Sequence, residues 1–153
     1  MAKATDNPYL RDAVMTATPE QLQLMLYDAA IRFATQAREA IKACEIEKSY
    51  DLLTRAQNIV REMENGLRHE QAPELCERMA ALYRFVFSKL VDANVKKDVT
   101  AIDEAVKVLG HQRETWCILI DKVRETQANG DQPIETQPAA QNQVRDESLS
   151  VEG

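Results

Sequence analysis

Apolar side chains recur every three or four residues along most of this chain, which is the spacing of one face of an α-helix. No segment alternates apolar and polar residues over the length of a strand. Interruptions of the pattern divide the chain into one short and four long segments, and the short one reads as a small helix or an extended arm that packs down. The predicted segments are residues 7–17, 19 to about 44, 47–68, about 73–96 and about 99–127.

Residues suited to helix ends stand at two of these interruptions. Thr18 precedes Pro19, and Gln21 follows three positions after Thr18. This order predicts a capping box, in which the Thr18 hydroxyl accepts a backbone hydrogen bond and the Gln21 side chain returns one. Asp98 is placed to cap the last helix. Short connections, such as the reversal expected at residues 45–47, predict an all-α fold: an antiparallel four-helix bundle.

The periodic pattern stops near residue 128. Residues 129–153 are rich in Gln, Pro, Ser and acids and have no periodic apolar face. Such a segment buries too little apolar surface to offset the chain entropy lost on ordering. We therefore expect a helical-bundle domain over residues 1–128 and a disordered acidic tail over 129–153. The tail holds five acids and one arginine, so it accounts for most of the chain's net charge of -6.

Composition excludes several classes of partner. No basic stripe is present, so nucleic acid is not an expected partner. The N-terminus has no apolar signal-peptide core and no stretch approaches ~18 uncharged apolar residues, so we expect a cytoplasmic protein without membrane insertion. Cys44, Cys76 and Cys117 show no CxxC spacing. Each falls in an apolar helical context and is predicted to be a small buried thiol.

No constellation of catalytic residues stands out. The chain has only two histidines, and His111 with Glu114 is predicted to be an exposed polar pair instead of a ligand pair. Neither a phosphate-binding glycine loop nor a nucleophile turn is present. We therefore expect no enzyme activity, no metal and no cofactor.

Two of the predicted helices carry more apolar surface than one bundle face, about 100° wide, requires. Each has a first and a second apolar stripe. In the helix from residue 19 these are Leu22, Leu26, Ala29, Phe33, Ala37 and Ala40, and then Leu24, Tyr27 and Ile31. In the helix from residue 73 they are Leu75, Met79, Leu82, Val86 and Leu90, and then Cys76, Ala80, Tyr83, Phe87 and Val91. The second stripes either pack on another segment or join the first in one broad core-facing surface, and the pattern leaves both open.

Several motifs in collinear order, over roughly residues 7–120, resemble the flagellar secretion chaperones specific for flagellin. The opening motifs are NPY at 7–9, TPEQL at 18–22 and MLYDAA at 25–30. Later motifs are RAQNIV at 55–60, LY at 82–83, KL at 89–90, ANVKKD at 93–98 and RETW at 113–116. The chain departs from the family at Ala29 and at Ala72-Pro73, where glycine is usual, and at residues 84–87.

The resemblance implies an antiparallel four-helix bundle with a short N-terminal helix lying over it. It also implies a cytosolic chaperone that binds the C-terminal region of flagellin, prevents premature polymerisation and delivers the subunit to the export gate. The flagellin terminus is expected to fold into helices as it wraps the chaperone. A bundle that self-associates as a homodimer through the second stripes is the alternative.

The resemblance implies that a segment of flagellin packs on the second stripes. The client-binding groove is predicted to be lined by Leu24, Tyr27, Ile31, Tyr83, Phe87 and Val91, with Asn94 as a polar anchor. Tyr9 and Leu10, in the N-terminal segment, are expected to cover the empty groove and to contact the export gate.

Overall fold

The computed structural model describes residues 7–130, and these residues form five α-helices and no β-strand. The helices are α1 (Pro8–Thr16), α2 (Pro19–Lys42), α3 (Ile46–Asn65), α4 (Pro73–Lys96) and α5 (Val99–Ala128). The predicted all-α fold is confirmed, and the long helices end within about three residues of the predicted positions. None of the five is long and apolar enough to cross a membrane. Most of the predicted tail, from residue 131 onward, lies outside the described residues.

The four long helices form a closed ring in which each packs against two others. Helix α2 packs on α3 and α5, and α4 packs on the same two helices. Side-chain pairs between α2 and α5 show the direction: Asp28 pairs with Arg113, and Arg38 pairs with Asp103. From the first pair to the second, the residue number rises by ten on α2 and falls by ten on α5. The helices are therefore antiparallel, and α2 and α4 stand diagonally opposite each other.

Both predicted helix caps are present. The Thr18 hydroxyl accepts a hydrogen bond from the Gln21 amide at 3.1 Å, and the Gln21 side-chain oxygen accepts one from the Thr18 amide at 3.0 Å. The Asp98 carboxylate accepts from the amide of Thr100 at 2.9 Å. These bonds satisfy N–H groups that have no partner inside the helix, and so they fix where α2 and α5 begin.

The buried residues of α2 form a line between its two predicted apolar stripes and include members of both. Its buried residues are Gln23, Tyr27, Ala30, Ala34, Ala37 and Ala40. Leu22, Leu26 and Phe33 of the first stripe are half-buried on one side of this line. Leu24 and Ile31 of the second stripe are half-buried on the other side. The two stripes of α2 thus form one broad core-facing surface, which is the alternative that the pattern left open.

On α4 the predicted inner and outer stripes are partly exchanged. The buried residues are Cys76, Ala80, Tyr83, Val86, Leu90 and Ala93. Three of them belong to the second stripe, whereas Leu82 of the first stripe is 40% exposed. On α3, Leu53, Ala56, Val60 and Met63 are buried at helical spacing, and Leu67, two residues after the helix ends, is also buried.

The single tryptophan joins the last helix to the start of α2. Trp116 is 2% exposed, and its indole N–H donates to the backbone oxygen of Glu20 at 2.9 Å. A buried indole needs such a partner, because an unpaired N–H away from water is costly. This bond ties α5 to the first turn of α2.

Helix α1 is present as predicted, but it buries none of its own residues against the bundle. Asn7 caps it by accepting from the amides of Tyr9 and Leu10. None of its nine residues is buried. Its apolar positions are few and lie on a helix of little more than two turns, so it has little surface with which to pack.

Cys44 contradicts the expectation of a buried thiol, whereas Cys76 confirms it and Cys117 is half-buried. Cys44 is exposed and has a φ of 60°, in the left-handed region. Its amide donates to Ile41, and the next amide, of Glu45, donates to Ala40. This is the Schellman arrangement that ends a helix, in which glycine usually occupies the left-handed position. The chain therefore reverses at residues 43–45, slightly earlier than predicted.

Replacing Cys44 with glycine is expected to stabilise the bundle by about 0.5–1 kcal/mol, because glycine adopts a positive φ without the Cβ strain. Urea unfolding monitored by circular dichroism measures the change. Cys44→Ala is the matched control, since it removes the thiol but keeps the Cβ, and it should stay within about 0.5 kcal/mol of the native chain. A glycine variant no more stable than the alanine variant would contradict the strain.

Candidate partner-binding surface

The predicted client-binding residues do not share one groove in this structure. Tyr27 and Tyr83 lie in the core, Leu24 and Ile31 lie between α2 and α5, and Phe87, Val91 and Asn94 lie between α3 and α4. We call the surface along which two neighbouring helices meet an edge and name it by those helices.

Tyr27 and Tyr83 are the centre of a buried polar cluster. They are 1% and 0% exposed, and their hydroxyl oxygens are 2.9 Å apart. The Gln23 amide donates to the Tyr83 hydroxyl at 3.5 Å and lies 3.9 Å from the sulfur of Met63. Burial raises the pKa of both tyrosines, that of Tyr83 most strongly. Both phenols therefore stay neutral at physiological pH, and the cluster is held by hydrogen bonds between uncharged groups.

This burial corrects the expectation that the two tyrosines face a groove. A ligand on the surface of the closed bundle cannot touch either ring, because the exposed fraction of each is 1% or less. Tyrosine is amphipathic, and the same residue type suits a binding groove or a core position with a partner for its hydroxyl. Here each hydroxyl finds that partner on the diagonally opposite helix.

Leu24 and Ile31 flank an ion pair on the α2/α5 edge. Asp28 of α2 pairs with the guanidinium of Arg113 of α5. Leu24 and Ile31 stand four residues before and three residues after Asp28, so they share its side of the helix. Both are half-buried and packed against the core. The α2/α5 edge thus presents two partly exposed apolar side chains with a charged pair between them.

Phe87, Val91 and Asn94 follow one another at helical spacing on the α3/α4 edge. The Arg61 guanidinium of α3 lies 4.7 Å from the ring centroid of Phe87. The Asn94 side-chain amide donates to the Gln57 side-chain oxygen at 3.2 Å. All three predicted residues are half-buried. This edge therefore offers an apolar strip, covered partly by Arg61, with a carboxamide pair at one end.

The α2/α5 and α3/α4 edges lie on opposite sides of the bundle. In the ring of helices α2 and α5 are neighbours, and so are α3 and α4, with no helix shared between the two edges. A single helix laid into one groove therefore cannot reach both sets of predicted residues. Only a partner long enough to pass around the bundle contacts both.

The α4/α5 edge carries exposed apolar side chains that the sequence pattern does not mark as a site. Leu82, Phe85 and Ile118 are 40%, 42% and 53% exposed. Leu82 borders a surface depression together with Val108 and His111 of α5. Its spacing predicts that Leu82 lies in the core, and Phe85 falls within residues 84–87, where the chain departs from the family. The periodicity gave no signal that would have separated this edge from the core.

Tyr9 and Leu10 lie on α1, where Tyr9 is 86% exposed and Leu10 is half-buried. Tyr9 therefore does not cover a groove in this structure, and its ring is accessible to another protein. Among residues 7–130, no group of three or more His, Cys, Asp or Glu side chains is arranged to hold a metal ion.

A helical bundle with half-buried apolar strips along its edges has the makeup of a protein that binds segments of other proteins along its sides. Comparison with known sequences identifies the family of the chain. Residues 1–123 match the family described as "Flagellar protein FliS". The chain therefore belongs to the FliS family, which is a family of chaperones and not of enzymes.

Curated relatives support the same assignment. The flagellar secretion chaperone FliS of Bacillus subtilis (strain 168) is 34% identical over 125 residues, which cover 80% of this chain and 92% of that protein. The flagellar secretion chaperone FliS of Salmonella typhimurium is 30% identical over 115 residues, covering 74% and 85% of the two chains. The predicted family is thus confirmed, and its match ends before the acidic tail.

The hydroxyl pair of the two buried tyrosines is expected to show energetic coupling. Tyr83→Phe should lower the free energy of unfolding by about 1–3 kcal/mol, because the Tyr27 hydroxyl and the Gln23 amide lose their partner. Tyr27→Phe should also lower the free energy of unfolding. The loss in the double variant should be smaller than the sum of the two single losses by about 0.5–2 kcal/mol. Urea unfolding of the four proteins measures this. Tyr50→Phe, at a 60% exposed position, is the control and should leave the free energy of unfolding unchanged. Strictly additive losses in the double variant would contradict the coupling.

Proposed function

We propose that this chain is a cytosolic export chaperone for flagellin, which binds the C-terminal helical region of its client and delivers it to the flagellar export apparatus. Membership of the FliS family supports the flagellar secretion role. The structural observation that supports the binding mode is the presence of partly exposed apolar strips on two opposite edges of the bundle. A client held there cannot use the same apolar surface to polymerise.

The arrangement of the strips favours a client that wraps around the bundle. Leu24 and Ile31 would receive one apolar segment on the α2/α5 edge, and Phe87 and Val91 would receive another on the α3/α4 edge. Asn94 would hydrogen-bond to a helix end or an exposed peptide group of the client, because its carboxamide carries both donors and an acceptor. A disordered client terminus that folds as it binds can span both edges, at the cost of its ordering entropy.

In the proposed binding mode the client does not touch the tyrosine cluster. Tyr27 and Tyr83 would instead fix the distance between α2 and α4, on which the spacing of the two edges depends. Tyr9 and Leu10 would serve a separate step, in which α1 contacts the export gate. A stable homodimer in light scattering that does not dissociate when flagellin peptide is added would favour the self-association alternative.

The client-binding edge is tested by two phenylalanines that lie two residues apart on α4. Phe87→Ala is expected to weaken binding of a peptide of the flagellin C-terminal helices by about tenfold or more, because a ring that seats the client is lost. Phe85→Ala, on the α4/α5 edge, should change the affinity by no more than about twofold. Isothermal titration calorimetry measures both affinities, after circular dichroism has shown that helical content is retained.

Equal losses in the two variants would contradict the assignment of the client to the α3/α4 edge. Flagellin that lacks its C-terminal ~40 residues, about the length of two helices, should not bind at all. Retained binding of that truncated client would refute the proposed mode as a whole.

The proposed role of α1 separates client binding from delivery. Tyr9→Ala is expected to leave the affinity for the flagellin peptide unchanged within about twofold, because the ring is exposed and makes no contribution to the bundle. Secretion of flagellin in a strain that carries the variant should fall. Met15→Ala, at a 78% exposed position on the same helix, is the matched control. A Tyr9 variant that secretes as well as the control would contradict the role.

A further inference from the structure

On the α4/α5 edge single apolar side chains are more exposed than the predicted client-binding side chains of the other two edges. Leu82, Phe85 and Ile118 are each at least 40% exposed, whereas the client-edge side chains are half-buried. Leu82 and Phe85 stand three residues apart on α4, and Val108 of α5 lines the depression together with Leu82. Contiguous exposed apolar side chains of this kind usually mark a surface that another segment covers.

The charges around this edge are more basic than acidic. Lys89 of α4 and Glu104 of α5 pair at 2.9 Å across it and cancel each other. By helical spacing, Arg78 lies beside Leu82 and Lys122 beside Ile118. Lys107 lines the same depression as Val108. None of these three bases has an ion pair within residues 7–130. Asp121, also beside Ile118, pairs with Arg124 at 3.8 Å, so Glu114 at the depression and Glu74 beside Arg78 are the acids that oppose the three bases. A complementary occupant is therefore acidic and carries a few apolar residues.

The chain itself supplies a segment of that composition. Residues 131–153 carry five acids and one arginine, a net charge of -4, together with Ile134, Val144 and Leu149. They begin directly after Gly130, which has a φ of 79° and donates its amide to Gln127 at the end of α5. A left-handed glycine at this position turns the chain away from the helix axis. A segment of matching composition is therefore joined directly to the end of α5.

Its length is sufficient to reach the depression. The distance along α5 from residue 130 back to Val108 is about 33 Å at 1.5 Å per helical residue. An extended segment of 23 residues spans up to about 75 Å. The family match ends at residue 123, so this segment is an addition to the part of the chain that resembles its relatives.

We propose that the acidic C-terminal segment, residues 131–153, folds back onto the α4/α5 edge of its own bundle and covers Leu82 and Phe85. Each exposed ion pair stabilises such a contact only weakly. However, the covalent link holds the segment at an effective concentration in the millimolar range, so a weak contact is enough to populate the closed arrangement. Because the attraction is between exposed charges, salt weakens it. The result is a reversible cover over an apolar surface.

The test compares ¹H–¹⁵N spectra of the full native chain with a full chain in which the tail acids are neutralised. The substitutions are Asp131→Asn, Glu135→Gln, Asp146→Asn, Glu147→Gln and Glu152→Gln. At about 20 mM salt, where exposed charges interact over roughly 20–30 Å, the amide signals of Leu82, Phe85, Val108 and Ile118 should differ between the two chains. At about 500 mM salt, where the interaction is screened within a few ångströms, the difference should collapse.

A matched pair of lysine variants locates the contact. Lys107→Gln, on the α4/α5 edge, should shift the signals of residues 131–153, because one attracting charge is lost. Lys42→Gln, an exposed lysine at the end of α2, should leave them in place. Identical tail signals in the two variants, or identical edge signals in the native and neutralised chains at low salt, would overturn the proposal.

Two further outcomes are distinguished by the same spectra. Shifts that grow with protein concentration would place a second copy on the α4/α5 edge and overturn the intramolecular contact. Shifts centred on the α2/α5 or α3/α4 edge would place the tail elsewhere on the bundle and would also overturn the proposal. No flagellin is present in these samples, so the result is independent of whether the chain binds that client.

Discussion

The narrow inner face of α2 is the constraint on which the rest of the bundle depends. Its buried positions between residues 30 and 40 are all alanines: Ala30, Ala34, Ala37 and Ala40. A methyl group allows neighbouring helices to approach closely, so the larger side chains of α2 cannot meet at the centre and lie over the adjacent helices instead. Leu24 and Ile31 therefore lie beside α5, and Phe33 lies near Arg55 of α3. The half-buried apolar side chains of α2 follow from this close packing.

Much of the fold could be predicted because its signals are local. Helical period, the capping box at Thr18 and the cap at Asp98 depend on residues within one or two turns, and all three are present in the structure. The left-handed Cys44 could not be predicted, because glycine is the residue that normally marks such a position. Nothing in the neighbouring sequence of Cys44 distinguishes it from a buried thiol on a helix.

The candidate site was harder to predict because it depends on how each helix is rotated about its axis. On α4 a rotation of one residue, about 100°, decides whether Tyr83 or Leu82 points inward. That choice is made by partners distant in sequence, here the Tyr27 hydroxyl on the diagonally opposite helix. The division of the predicted residues between two opposite edges also follows from the order of helices around the ring. Periodicity within one helix contains no information about that order.

The bond between Trp116 and Glu20 has a practical consequence. The chain has one tryptophan, and its indole is buried and hydrogen-bonded at the point where α2 begins. Any event that separates the start of α2 from α5 exposes this indole to water and breaks its only hydrogen bond among residues 7–130. The emission wavelength and lifetime of native tryptophan fluorescence therefore report the integrity of this one junction, two residues from the end of α1, without any attached dye.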